Sequence, residues 1–82
     1  METNNTDVVI RAVNTNILVG IVRNNSSKNA TATKAGIPIS TFSRKLNGHG
    51  DFSIRELGMI ADALNLKFED LLPTELLMKQ VG

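Results

Sequence analysis

The sequence predicts an all-α protein, a compact domain of five short helices with no strand. Three observations carry that prediction. Ile10, Val13, Ile17 and Ile21 recur at the spacing of one helix face. The run Ser53-Ile54-Arg55-Glu56 reads as a capping box, with serine as N-cap and glutamate at N3. Gly36, Gly48 and Asn65 each stand just after a helix-compatible segment, where such residues stop helices.

The elements follow in chain order. Residues 1–6 are polar and are expected to form a flexible N-terminus. Thr6 offers a capping hydroxyl and Asp7 a negative charge at the positive helix end, so the first helix is expected over about residues 7–23. Asn24-Asn25-Ser26-Ser27 ends it and supplies a cap for the next. Residues 28–35, KNATATKA, form a second short helix. Gly36 suits the left-handed position after it, and Ile37 folds back. Pro38 sits at the start of the third helix, where its missing N–H costs nothing. That helix runs to about Asn47, Gly48 closes it, and HGD is a turn. The fourth helix carries Ile54, Leu57, Ile60 or Ala61, and Leu64 as its apolar stripe. A fifth covers roughly Phe68 to Leu72, and Pro73 breaks it. The domain is thus placed at 7–72 and a C-terminal tail at 73–82, in which TELLMKQ adds a frayed turn or two.

Composition narrows the class. A chain of 82 residues makes one domain. A domain of this size buries roughly 60–65% of its unfolded surface, so its core is small. Apolar residues at 41% are too many for a disordered chain. With no cysteine, a disulfide framework and a thiolate metal site are excluded. The apolar run ILVGIV at 17–22 is far too short for a membrane span. METNNTDVV lacks the basic start of a signal peptide. A cytoplasmic location is expected, in a bacterial host cell if the chain is phage-encoded.

Charge is lopsided. Val8 to Gly50 holds six bases (Arg11, Arg23, Lys28, Lys34, Arg44, Lys45) and no acid. Asp51 to Gly82 holds six acids and three bases. One part therefore carries +6 and the other −3, although the net charge is only +1. Such asymmetry points to a polyanion on the basic half.

The stretch KAGIPISTFSRKLNG, residues 34–48, sharpens this. On a helix, Ile39, Phe42 and Leu46 fall within about 60° of one another and form the expected buried face. Ser40 and Arg44 point nearly opposite, Thr41 and Asn47 flank them, and Lys45 lies at the edge. An outward face of hydroxyls, guanidinium, amide and ammonium suits base edges and phosphates. An ordinary solvated face mixes signs, whereas this one has no acid. Two helices joined by a short glycine turn, the second with such a face, is the helix-turn-helix arrangement.

Residues from about 13 to 72 resemble the lambda repressor/Cro-like helix-turn-helix family. The pattern is Ala32, three residues, Gly36, then IPISTFSRKLNG, the SIRELGMIADALNL helix and FEDLL. The sequence departs from the family at Thr31, where a large aliphatic residue is usual, and at Pro38, where a capping hydroxyl is common. Ser40 is a candidate to supply that hydroxyl instead. The resemblance implies a compact five-helix lambda repressor-like domain whose recognition helix, residues 39–47, lies in the major groove. It places Ser40, Thr41 and Arg44, with Lys45 beside them, at base-contacting positions. It places Lys28, Asn29, Asn47 and His49 at phosphate contacts.

Other signals are weaker. His49 with Asp51 lacks the partners of a metal site. Glu69 and Asp70 suit a helix start. GHG is not a phosphate loop, because no strand precedes it. No cofactor and no enzyme activity are expected. The first helix, however, has a second apolar side at Val8, Ala12, Val19 and Val22. Either the tail (Leu76, Leu77, Met78, Val81) or a second subunit is expected to cover it. The expected function is a sequence-specific regulator bound to a double-stranded DNA operator as a homodimer. The chain has no room for a separate ligand-binding domain, which favours a compact Cro-like role over a full repressor. The alternative is an antitoxin-like protein that binds a protein partner through helix 1, with DNA binding secondary.

Overall fold

The computed structural model describes residues 5–73. The expected flexible N-terminus falls mostly, and the apolar tail residues Leu76, Leu77, Met78 and Val81 wholly, outside the described residues. Four α-helices are present: α1 (Asn5–Arg23), α2 (Lys28–Ala35), α3 (Ile39–Leu46) and α4 (Ile54–Ala63). The expected fifth helix is corrected to a single 3-10 turn, Phe68–Leu71. Its four residues are too few for an α-helical ladder, and Leu72 already turns into extended backbone ahead of Pro73. No strand occurs among the described residues. The first helix also starts earlier than expected: Thr6 lies within α1 rather than capping it.

Local chemistry fixes the helix ends. Each α-helix stops in the same double hydrogen bond, closed by a left-handed residue. After α2, Gly36 (φ 73°) donates to Thr33 O at 3.1 Å and Ile37 N–H to Ala32 O at 2.9 Å. After α1, Asn25 (φ 52°) and Ser26 donate to Val22 O and Ile21 O in the same way. Gly48 and His49 repeat the pattern after α3, and Asn65 and Leu66 after α4. This is the Schellman motif, and it satisfies carbonyls that a helix end leaves open. At the starts, Ser27 Oγ accepts the Ala30 N–H at 3.0 Å. The Ser53–Glu56 capping box forms as expected.

The core gathers Val13, Ile17 and Ile21 of α1, Ala32 and Ala35 of α2, Phe42 and Leu46 of α3, and Leu57, Ile60, Ala61 and Leu64 of α4 with Leu71. Three expected core residues stand outside it: Ile10 of α1 is only half-buried, and two others are exposed. Ile39 is 47% exposed and Ile54 78% exposed. Each is the first residue of its helix, so its side chain projects off the helix end rather than onto a neighbour. Ile37, in the turn, fills the place inside instead. Thr31 is fully buried, and its hydroxyl shares a 3.2 Å hydrogen bond with Ser26 Oγ. That bond makes a polar residue tolerable where an aliphatic one is usual. The small residues of α2 let it pack closely on α4 and α3.

Two asparagines of α1 and Asn24, just after it, tie the other elements together. Asn14 Nδ2 donates to Lys45 O and Leu46 O, both at 3.3 Å, at the end of α3. Asn16 Nδ2 donates to Leu71 O at 3.0 Å. Asn24 Nδ2 donates to Leu64 O at 2.9 Å. The Asn14 and Asn24 amides thereby reach carbonyls at the ends of α3 and α4. Gly20 permits the approach to α4: a Cβ there would stand 3.0 Å from Leu64 Cδ1 and 3.1 Å from Leu66 Cδ1.

Candidate nucleic-acid interface

The geometry begins at Gly36. Its left-handed backbone turns the chain sharply after α2, and Pro38 leads into α3. α3 is two-sided. Phe42 and Leu46 are buried, while Ile39, Ser40 and Arg44 are exposed and Thr41 is half-buried. Phe42 also meets the Phe52 ring at 5.7 Å, which seats the loop after α3 against the core. No side chain caps the start of α3, so Ser40 does not take the capping role open to it. Among the described residues, neither Ser40 nor Thr41 has a side-chain hydrogen-bond partner. Their hydroxyls are open to a ligand.

The other end of α3 is held firmly. Arg44 Nη1 donates to His49 O at 2.9 Å, which lays the guanidinium over the GHG turn. Gly50 (φ 127°) makes room, since a Cβ there would stand 3.2 Å from Arg44 Nη1. The remaining guanidinium N–H groups stay available. Lys45, expected beside the base readers, turns instead to α4. Its Nζ meets Glu56 Oε1 at 2.8 Å and Oε2 at 3.1 Å. Glu56 Oε1 also accepts the Ser53 N–H at 2.8 Å. The Lys45 ammonium first, then the Ser53 N–H, holds the Glu56 carboxyl below its ordinary value of about 4.5.

The candidate phosphate contacts are all exposed. Lys28 and Asn29 occupy the first turn of α2, Asn47 follows α3 and His49 sits in the turn beyond. Lys45–Glu56 is the single ion pair among the described residues, so Arg11, Arg23, Lys28, Lys34 and Arg44 keep uncompensated charge. No group of three or more His, Cys, Asp or Glu that could hold a metal occurs among the described residues. No helix among them is long and apolar enough to cross a membrane.

Three features of the site escaped the sequence reading. Ile39 is surface rather than core, and its place directly after Pro38 was the available signal. Asn14 and Glu56 reach α3 from elsewhere in the chain. A polar residue beside the Val13–Ile17 stripe hinted at the first, but nothing local pairs Lys45 with Glu56.

Comparison with known proteins agrees with this geometry. No curated protein matches the chain. A family model, the Cro/C1-type HTH DNA-binding domain, matches residues 16–75. The span takes in α2, the Gly36 turn, α3 and α4. The family is one of DNA-binding regulators rather than enzymes. The resemblance seen in the sequence therefore stands, and the chain belongs to the Cro/C1-type helix-turn-helix DNA-binding domain family.

Proposed function

We propose that the protein is a sequence-specific double-stranded DNA-binding transcriptional regulator, a phage repressor or Cro-type protein that inserts residues 39–47 in the major groove of its operator. The open face of α3 carries this reading. Ile39, Ser40 and Arg44 stand exposed, the Ser40 and Thr41 hydroxyls are unbonded, and no acid lies on the helix. Arg44 addresses guanine O6 and N7, and Ser40 and Thr41 bond neighbouring base edges. Ile39 meets a thymine methyl, an apolar contact that the major groove alone offers. Lys28, Asn29, Asn47 and His49 bond phosphates and fix the register.

The test is selection of bound duplexes from a random pool near physiological salt, then comparison of the winner with the unselected pool. A winner bound ~10³-fold more tightly or better supports operator reading. Weak, steeply salt-dependent binding with no enrichment contradicts it.

The exposed side of α1 bears on assembly. Val8, Ala12, Thr15, Val19 and Val22 alternate at spacings of four and three residues. That is the seam of a helix that packs along another helix. Val8, Val19 and Val22 are 48%, 42% and 75% exposed. The seam supports a homodimer on a two-fold operator, with half-sites about 10 bp apart. It equally gives the second reading, an antitoxin-like protein with a different partner, its supporting observation. Sedimentation separates the two: a dimer lost in Val19→Asp supports the first, and a monomer with an open seam supports the second.

A further inference from the structure

We propose that Lys45 and Glu56 form a positioning pair, which locks α3 onto the capped start of α4 and so sets the pitch from which Arg44 reads its base pair. The inference rests on the operator-reading function above and goes beyond it. It gives Lys45 a role other than touching DNA.

The observations converge on one turn. α3 has eight residues, too few to be stable alone. Its first turn has no side-chain cap. Its orientation therefore depends on the core contacts of Phe42 and Leu46 and on what grips its last turn. Asn14 grips the Lys45 and Leu46 carbonyls from α1. Glu56 grips the Lys45 ammonium through both carboxylate oxygens. The pair is largely shielded, with side chains 18% and 20% exposed. Glu56 is itself fixed, because the same Oε1 accepts the Ser53 N–H and the Glu56 N–H donates to Ser53 Oγ. A bond from Lys45 thus reaches a carboxylate that cannot swivel freely. Arg44 is the adjacent residue, and its guanidinium lies over the turn that joins α3 to α4. A shift of α3 against α4 moves Arg44 directly. Bidentate reading tolerates displacements of only about 0.5 Å. Were Lys45 to reach DNA instead, it would leave Glu56 as an unpaired anion near the phosphates.

The test compares selected motifs of the wild type, Arg44→Ala and the double variant Lys45→Met with Glu56→Gln. The double variant removes the pair at constant net charge, and Gln retains the capping-box bond to Ser53 N–H. Arg44→Ala identifies the base pair that Arg44 reads. The double variant should relax preference at that same base pair by roughly 5–10-fold. Its salt slope should equal that of the wild type, since no phosphate contact is lost. Glu56→Gln alone keeps a weaker hydrogen bond to Lys45 and should show a smaller shift at the same position. That variant decides the matter if the double variant does not fold. Relaxation at a different base pair, or a slope shallower by about 0.9, would place Lys45 on the DNA and overturn the proposal. Unchanged preference would overturn it too. In those cases the wild type still discriminates, so operator reading survives. A wild type with no preference at all defeats operator reading and this proposal together.

Discussion

The two ends of α3 are built on opposite plans. At its start, Ile39 and Ser40 are exposed and no side chain caps the backbone. At its end, Leu46 is buried, Asn14 bonds two carbonyls, and Lys45 is paired with Glu56. The difference teaches how eight residues can both read and hold. Groups at the start are left unbonded so that a ligand can bond them. Groups at the end are bonded so that the start has a fixed direction. Pre-ordering of this kind lowers the entropy lost on binding.

Substitutions should expose that contrast. The largest difference is expected in stability. Leu46→Ala removes a buried side chain and should cost about 2–5 kcal/mol. Ile39→Ala, at the half-exposed start, should cost less than about 1 kcal/mol while weakening binding to a thymine-containing operator. Chemical denaturation of both variants checks this. Similar losses would put Ile39 in the core after all.

Asn14→Ala comes next. It leaves the Leu46 carbonyl without its side-chain partner, while the Lys45 carbonyl keeps the Gly48 N–H, and should destabilise by about 1–3 kcal/mol. A thermal melt without change would show that the α1 tether contributes nothing. Arg44→Ala should act the other way round. Its effect falls on binding, at about 1–3 kcal/mol with preference relaxed at one base pair, and its melting temperature should hold. Lys28→Ala should weaken binding to all duplexes alike and lower the salt slope by about 0.9.

The smallest effect concerns pH. The Glu56 carboxyl is held below its ordinary value of about 4.5 in the folded protein. A depressed carboxyl stabilises the fold above its unfolded value, and that stability is lost as pH falls through the folded one. Wild-type stability should therefore begin to fall below about pH 4.5, and Glu56→Gln should show a shallower decline. Parallel declines in both proteins would mean that the pair adds nothing to acid stability.

How far the sequence could be read follows the range of the forces involved. The helix stops were legible because the residues that make them act within five positions. Gly36, Gly48 and Asn65 adopt left-handed backbone where their chemistry suggested a stop. Ser27 and Ser53 cap the helices they precede. Periodicity recovered Val13, Ile17 and Ile21 as core. It failed at Ile10, which is only half-buried, and at Ile39 and Ile54, where periodicity counts a helix's first residue like any other although no neighbour faces it. The last segment was read as a helix although only a 3-10 turn fits between Lys67 and Pro73. The exposed face of α3 was legible from residue type and angle. The grip on its far end was not. Asn14 and Lys45 lie 31 residues apart, and Lys45 and Glu56 lie 11 apart across a turn. Such pairings exist only once the helices are packed.

The most direct test of the account is an amide NMR titration of the protein with its selected duplex. The account predicts that shifts concentrate at Ile39, Ser40, Thr41 and Arg44, with the first turn of α2 at Lys28 and Asn29. Shifts confined instead to the Val8–Val22 side of α1, with α3 unmoved, would contradict it.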